Sequence, residues 1–302
     1  MTKYLISIVG PTAIGKTALS IKLAQHYQTE IISADSRQFY KEMSIGTAVP
    51  TPTELSAAAH HFIQHISVTS DYNVGAFEKD AMQQLKLLFR KHDVVIMVGG
   101  SGLYVKAVTE GLDEFPEVDS NIREQLNEQL KSEGIKGLQQ QLKQLDPTAY
   151  QTIAIDNPHR VIRALEVSIG SGKPYSSFLG AKHSKRDFET ISIGLMADRQ
   201  LIYDRINSRV DQMIANGLLN EVKKLKDLKH LNALNTVGYK ELFKHIYGEW
   251  DLEFAISEIK KNTRRFAKRQ MTWFKKDQSI HWFDYDTNLS EIVDTITKQI
   301  QK

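Results

Sequence analysis

The sequence predicts an α/β protein: a parallel β-sheet covered by helices on both faces and interrupted by a helical insertion. Three observations predict it. The apolar run Tyr4-Leu-Ile-Ser-Ile-Val9 enters Gly10-Pro-Thr-Ala-Ile-Gly15-Lys16-Thr17, which satisfies G-x-x-x-x-G-K-[ST] in full and lies between a strand pattern and a helix pattern, where a phosphate-binding loop belongs. Short apolar runs then alternate with helical periodicity, as in a sheet buried on both faces. Past Gly111 the texture turns rich in Gln, Glu and Lys before strand-like sequence resumes. The core is therefore expected to be P-loop NTPase-like. Its first part spans 1–112, a helical insertion spans 113–188, and 189–302 complete the core with basic C-terminal helices.

Each element has its own signal. Leu19, Leu23 and Ala24 mark a helix that ends before His26-Tyr27-Gln28. Glu30-Ile31-Ile32-Ser33 and Asp93-Val-Val-Ile-Met-Val98 read as buried strands, the second preceded by an amphipathic helix through Phe77, Met82, Leu85, Leu88 and Phe89. Asn121 to Leu145 has helical spacing, and Pro147, Pro158 and Pro174 punctuate the stretch up to Arg186. Ile191-Ser-Ile-Gly-Leu195 resumes the sheet, and from Arg199 the pattern is helical apart from Ile280-His-Trp-Phe-Asp-Tyr285. There is no internal repeat.

The composition excludes several classes. With 17 Gly, 7 Pro, 25% charged residues and no Cys in 302 residues, the chain is neither collagen-like nor low-complexity, and it has no disulfide, thiolate metal site or cysteine nucleophile. No apolar run approaches the roughly 18 residues needed to span a bilayer. Met1-Thr2-Lys3 passes into a strand pattern, not a signal segment. A cytoplasmic protein with no membrane association, acting as a monomer, is expected. Its net charge of +3 is unevenly spread: residues 1–150 carry −3 and residues 151–302 carry +6, so a polyanion would prefer the second half.

The chemistry begins at the glycine-rich loop. Amides of Gly10, Pro11, Thr12, Ala13, Ile14 and Gly15 (Pro11 lacking the N–H) and the following helix start would face one anion. Lys16 would supply a mobile positive charge, and the Thr17 hydroxyl would ligand Mg2+ bridging phosphate oxygens. Nucleotide- and ATP-binding proteins use this motif, but their kinase and hydrolase forms usually place an acid after a later apolar strand. Here Val98 runs into Gly99-Gly100. The acid at an early strand end is Asp35, after Ile31-Ile32-Ser33-Ala34; a turn residue there is the alternative. Carboxyl ends of parallel strands face the ligand crevice, so Asp35 and Gly99–Gly102 should open onto the same cavity as the loop.

Three further patterns stand out. Arg205 and Arg209 lie four apart beside the apolar stripe Ile202, Ile206, Val210 and Met213, and are read either as a diphosphate clamp or as a solvated face. His61 and His65 are also four apart, but without a third ligand they suit packing or hydrogen bonding better than a metal. Lys260 to Lys276 holds eight basic residues and no acid. Helical spacing places these bases opposite Ile259, Phe266, Ala267, Trp273 and Phe274, which predicts a docked helix with a free basic face for RNA phosphates. Trp273 and Phe274 are read as core.

Gly10–Thr17, Asp35-Ser36-Arg37-Gln38-Phe39-Tyr40, Ile45-Gly-Thr-Ala48, His60-His61, Gly99-Gly-Ser-Gly-Leu-Tyr104, Asn157-Pro-His-Arg-Val-Ile-Arg-Ala-Leu-Glu166, Val237-Gly-Tyr-Lys240 and Ala267-Lys-Arg-Gln-Met-Thr-Trp-Phe274 occur in that order. Together they closely resemble the bacterial tRNA dimethylallyltransferases, over nearly the whole chain. The resemblance implies transfer of a dimethylallyl group from dimethylallyl diphosphate to N6 of the adenosine at position 37, in the anticodon stem-loop of tRNA. It implies that Asp35, Ser36, Arg37, Gln38, Ser101, Arg123, His159, Arg160, Val161, Ile162, Arg163 and the block with Gly238, Tyr239 and Lys240 contact the tRNA. It also favours Arg205 for the diphosphate. Ser101 stands where the family usually has Thr, and His159 where Gln is common.

For such a reaction Asp35 would be the base that takes a proton from the weakly nucleophilic amine. Lys16, the loop amides and magnesium would meet the charge on the leaving diphosphate. Ser101 would bond the adenine or the diphosphate, and base identity would be read near Asp35 and Gln38. Arg160 and Arg163, with Lys173, Lys182, Lys185 and Arg186, would let the insertion grip the stem. Two other readings stay open: a P-loop kinase of a nucleoside monophosphate or small alcohol, and an RNA-binding regulator that holds a nucleotide as a switch.

Overall fold

The computed structural model describes residues 2–180 and 186–301. Lys182 and Lys185, expected in the insertion, lie outside the described residues. Two compact units divide the chain, one from residues up to 110 and from 186 onward, the other from 111 to 185. Arg186 thus belongs to the first unit and not to the insertion; its guanidinium bonds Glu78 and the Ala107 carbonyl.

The larger unit runs β1 (Tyr4–Val9), α1 (Lys16–His26), β2 (Ile31–Ser33), α2 (Pro52–Ala57), β3 (His60–His61), α3 (Val74–Leu88), β4 (Val94–Val98) and α4 (Gly102–Thr109). The smaller unit supplies α5 (Ser120–Glu133), α6 (Ile135–Leu145), α7 (Pro147–Thr152) and α8 (Pro158–Ser171). The larger unit resumes with β5 (Glu189–Met196), α9 (Arg199–Ala215), α10 (Leu218–Lys224), α11 (Tyr239–Ile246), α12 (Leu252–Phe274), β6 (His281–Asp284) and α13 (Leu289–Ile300).

The strands form one parallel sheet in the order β3-β2-β4-β1-β5-β6. Every strand expected from the sequence is in it. The two-residue β3 was not expected, because alternation needs a longer run to register. Along β1 the side chains alternate between two cores. Ile6 and Ile8 pack with Leu19 and Leu23 of α1, Ile202 and Ile206 of α9, and Ile292 and Ile296 of α13. Leu5 and Val9 pack on the other face with Phe77 and Leu85 of α3 and Val105 of α4. Both faces are covered, which is why the strands read as unbroken apolar runs.

A third cluster joins Tyr40 and Met43 to Val210, Leu218, Val222, Tyr239, Leu242 and Ile259, so that α9 to α12 form a helical layer of their own. The smaller unit closes around Leu126, Leu138, Leu142, Ala149, Val161 and Leu165. Pro147 and Pro158 open α7 and α8 at the first helical position, where a missing N–H costs nothing. Among the described residues no helix is long and apolar enough to cross a membrane.

Candidate active site

The loops at the carboxyl ends of β1, β2 and β4 open onto one cleft of about 800 Å³, lined among others by Thr12, Asp35, Ser101, Arg209, Gln270 and Trp273. The strand Tyr4–Val9 delivers the chain into the glycine loop. Gly10 has φ +141°, and a Cβ there would lie 2.6 Å from the Leu195 carbonyl oxygen, so no other residue fits. Gly15 is left-handed and immediately precedes α1. The loop therefore ends on a helix N-terminus, whose unpaired amides favour an anion. Lys16 Nζ donates to the Pro11 carbonyl at 2.7 Å, folding the side chain back over the loop. The Thr17 hydroxyl, in the first turn of α1, has no hydrogen-bond partner among the described residues.

Asp35 follows β2 and serves partly as the turn residue that its position allows: Oδ1 accepts the Arg37 amide at 3.2 Å. Its carboxyl is held above the usual range by burial, against the opposing pull of the Arg37 amide, Lys16, Arg37 and Arg209 charges. Burial likewise lowers Lys16 to about 8, Asp35 opposing and Arg209 reinforcing the shift. Base candidate and phosphate-binding lysine thus share one electrostatic environment. Burial also lowers Arg209.

Ser101 ties two loops together. Its Oγ accepts the Ser36 amide at 3.1 Å and lies 3.1 Å from the Ser36 hydroxyl. Arg37 donates to the carbonyls of Asn232 and Ala233 at 3.2 and 2.9 Å, which holds it along the cleft rim. Gln38 is tied to its own loop. Both amide hydrogens are engaged by the Thr47 and Ala48 carbonyls at 3.2 and 2.9 Å, so this side chain braces the loop and has no donor left for a base.

Arg205 and Arg209 part company. Arg205 reaches the Ile14 carbonyl at 3.4 Å, and its guanidinium sits 4.2 Å from the Tyr285 ring centroid. Arg209 lines the cleft itself. His61 pairs with Glu30 at 2.7 Å, and His65 packs against Phe39, Phe62 and Tyr72. Among the described residues no group of three His, Cys, Asp or Glu could hold a metal.

Several residues expected at the RNA are placed otherwise. Val161 and Ile162, 0% and 4% exposed, fall on the buried stripe of α8 and belong to the core of the smaller unit. Tyr239 is fully buried and donates to Glu221 at 2.6 Å, so its side chain is structural. Gly238 and Lys240 line the cleft. In the smaller unit, His159 and Arg160 are exposed on the first turn of α8. Arg123 makes a two-pronged pair with buried Glu166 at 2.9 and 2.7 Å, and Arg163 joins the same carboxylate at 2.9 Å. One carboxylate thus fixes two guanidinium groups and leaves a net positive charge.

The basic helix also differs from expectation. Its bases are not all free: Lys260 pairs with Asp211 at 2.6 Å, Lys261 pairs with Glu258, and Arg264 donates to Asn207 at 2.7 Å. Phe274 is core, whereas Phe266 and Trp273 are 38% and 40% exposed. Those two join Asn262, Arg269 and Gln270 on one face that walls the cleft. Sequence reasoning missed this face and Gln270 within it. The spacing 262, 266, 269, 270 and 273 is one helical stripe, and a polar and aromatic stripe beside an acid-free run was the available signal.

A glycine-rich loop running from the central strand β1 into a helix N-terminus, with an acid following β2 on the far side of β4, defines a P-loop α/β protein. A family model described as IPP transferase matches residues 38–277. A tRNA dimethylallyltransferase of Christiangramia forsetii is 64% identical over 99% of each chain, and one of Flavobacterium johnsoniae is 56% identical over 99% of each. Among solved structures, a tRNA isopentenylpyrophosphate transferase from Bacillus halodurans has a TM-score of 0.74 at 36% identity, covering 99% of this chain and 97% of its own. A eukaryotic dimethylallyltransferase acting on tRNA has a TM-score of 0.81 at 26% identity, covering 99% of this chain and 79% of its own. The chain belongs to the IPP transferase family.

Proposed function

We propose that this protein is a tRNA dimethylallyltransferase that alkylates N6 of adenosine 37 with dimethylallyl diphosphate. The observation that carries this reading is that Thr12 of the glycine loop and Asp35 line one cleft walled by Phe266, Arg269 and Trp273, with Lys16 behind Gly100 of the same lining and its charge acting on Asp35. That arrangement suits a reaction with a diphosphate at one end and an aromatic base at the other. The allylic C–O bond breaks and its electron pair leaves on the diphosphate, beside Lys16 and the loop amides. The new bond forms from N6, whose proton passes to the Asp35 carboxylate. Arg209, which lines the cleft, would take the diphosphate, and Arg205, which donates to the Ile14 carbonyl, would steady the loop.

Magnesium fits the residues present. It keeps several waters and takes few protein ligands where phosphates supply the rest, so the unpartnered Thr17 hydroxyl at the loop would suffice, and the ion would neutralise charge on the diphosphate. Turning the adenosine out of the anticodon loop costs a few kcal/mol, which stacking against exposed aromatics such as Trp273 and Phe266 would offset. His159, Arg160 and Arg163 on α8, with Lys173 past its far end, would supply cations for the stem.

The test is to mix the protein with magnesium, an unmodified anticodon stem-loop and dimethylallyl diphosphate, and to weigh the RNA. A gain of one dimethylallyl group, lost when adenosine 37 is replaced, is expected. No gain, with ATP consumed in the presence of a nucleoside monophosphate, would return the loop to kinase chemistry.

A further inference from the structure

A second groove opens beside the cleft. It measures about 440 Å³, is lined by Lys229, His230, Lys240, Phe243, Lys244 and Tyr247, and shares Asn235, Lys240 and Lys244 with the cleft. Its cations are held in an unusual way. Lys229 Nζ lies 3.7 Å from the Tyr247 ring centroid and Lys244 Nζ 4.2 Å from that of Trp250. Tyr247 is anchored in turn by its hydroxyl, which donates to the Lys226 carbonyl at 3.0 Å. Among the described residues neither lysine, nor Lys240, has a carboxylate partner, and Glu249 is the one acid in the lining.

An aromatic ring orients an ammonium without neutralising it. A carboxylate would orient it and cancel its charge. Lys229 and Lys244 are thus steered by rings with no carboxylate to offset them, which suits a phosphate contact. The groove is of small-ligand size, suited to one nucleotide and too small for a duplex.

We propose that this groove seats the nucleotide adjoining the reactive adenosine, with its backbone phosphate on Lys229 and Lys244. The inference rests on the reading of the cleft as the site of adenosine alkylation. Continuity through Asn235 and Lys240 gives the strand a path from one to the other.

The experiment measures the Kd of a fluorescent anticodon stem-loop across a salt series, with turnover followed separately. Lys229→Ala is expected to raise Kd severalfold and to reduce the slope of log K against log salt by about one. Tyr247→Ala, which leaves the charge but releases it, is expected to raise Kd with little change in slope. Lys298→Ala, on the exposed face of α13, is expected to behave as the parent. An unchanged Kd and slope for Lys229→Ala, or an equal loss for Lys298→Ala, would overturn the proposal. Because binding is read apart from turnover, loss of product in the parent with these affinity changes intact would sink the transferase reading alone.

Discussion

Gln270 holds Thr12. Its Oε1 accepts the Thr12 amide at 2.9 Å while its Nε2 donates to the Gly100 carbonyl at 2.9 Å, and a Cβ on Gly100 would lie 2.3 Å from that nitrogen. One buried amide on α12 thus spans the phosphate loop and the loop that carries Ser101, and neighbouring residues of the same helix wall the cleft. Gln270 is a positioning residue for both. Gln270→Ala should lower kcat by about 10²-fold, the scale of a misplaced reacting group, with stem-loop Kd near the parent value. Gln270→Glu, which keeps the acceptor but sets a carboxylate against Gly100 and the diphosphate, should also raise KM for the diphosphate. Loss of RNA affinity without change in kcat would refute the role.

Asp35 combines a turn bond with a buried charge. Asp35→Asn preserves the shape and the Arg37 contact but removes the base, so kcat should fall by roughly 10²–10⁴-fold while stem-loop Kd stays within about twofold. Its raised pKa means that the folded state binds this proton more readily than the unfolded chain. At neutral pH ionised Asp35 is therefore a net cost to folding, and the variant should melt at a higher temperature. A variant that melts lower and keeps turnover would contradict both parts.

Lys16 sets the alkaline side of the pH profile. Its pKa is lowered to about 8 by burial, so the cation is lost as pH rises through that value in the free enzyme. The profile of kcat/KM for the diphosphate should fall above about pH 8. On the acid side it should fall at a pH above the ordinary carboxylate range, as Asp35 gains its proton. The lowered Lys16 also means that the unfolded state binds more protons between about 8 and its ordinary value, so folding stability from this group rises with pH there. Lys16→Arg, whose charge persists, should flatten the alkaline limb of whatever activity remains; an unchanged limb would assign it elsewhere.

The legible parts of the site were those written in contiguous residues. Gly10–Thr17 announces its loop because strand, glycines, Lys and helix must follow one another, and Asp35 is found from the strand that precedes it. What escaped was set by tertiary packing. Nothing local tells that Gln38 spends its donors on Thr47 and Ala48, or that Val161 and Ile162 face the core within a motif rich in arginine. Helical periodicity alone assigned Phe266 and Trp273 to the core, because it records apolar spacing but not whether a neighbouring element covers it. Pairing also hid charge: Lys260 and Arg264 look free in sequence until α9 brings Asp211 and Asn207 alongside.

Glu221 supports the cleft from a distance in sequence. Its carboxylate accepts the amides of Ser44, Ile45 and Gly46 at 3.0, 2.8 and 3.0 Å, and the Tyr239 hydroxyl at 2.6 Å. This gathers the segment that carries Gly46, Thr47 and Ala48 into the cleft wall, and Gln38 closes it from the other side. Burial and the Glu221 charge hold the Tyr239 phenol well above its usual pKa, so it remains a donor. Four donors converge on one carboxylate. Glu221→Gln replaces one oxygen with an N–H₂ that faces amide hydrogens, which should cost about 1–3 kcal/mol and lower Tm by several degrees. Tyr239→Phe removes one neutral donor and should cost less, about 1 kcal/mol. Gly46, Thr47 and Ala48 line the cleft, and on the proposed reading they would wall the adenosine, so residual Glu221→Gln enzyme should show a raised KM for RNA with a near-parent KM for the diphosphate. The opposite split would place the segment at the diphosphate.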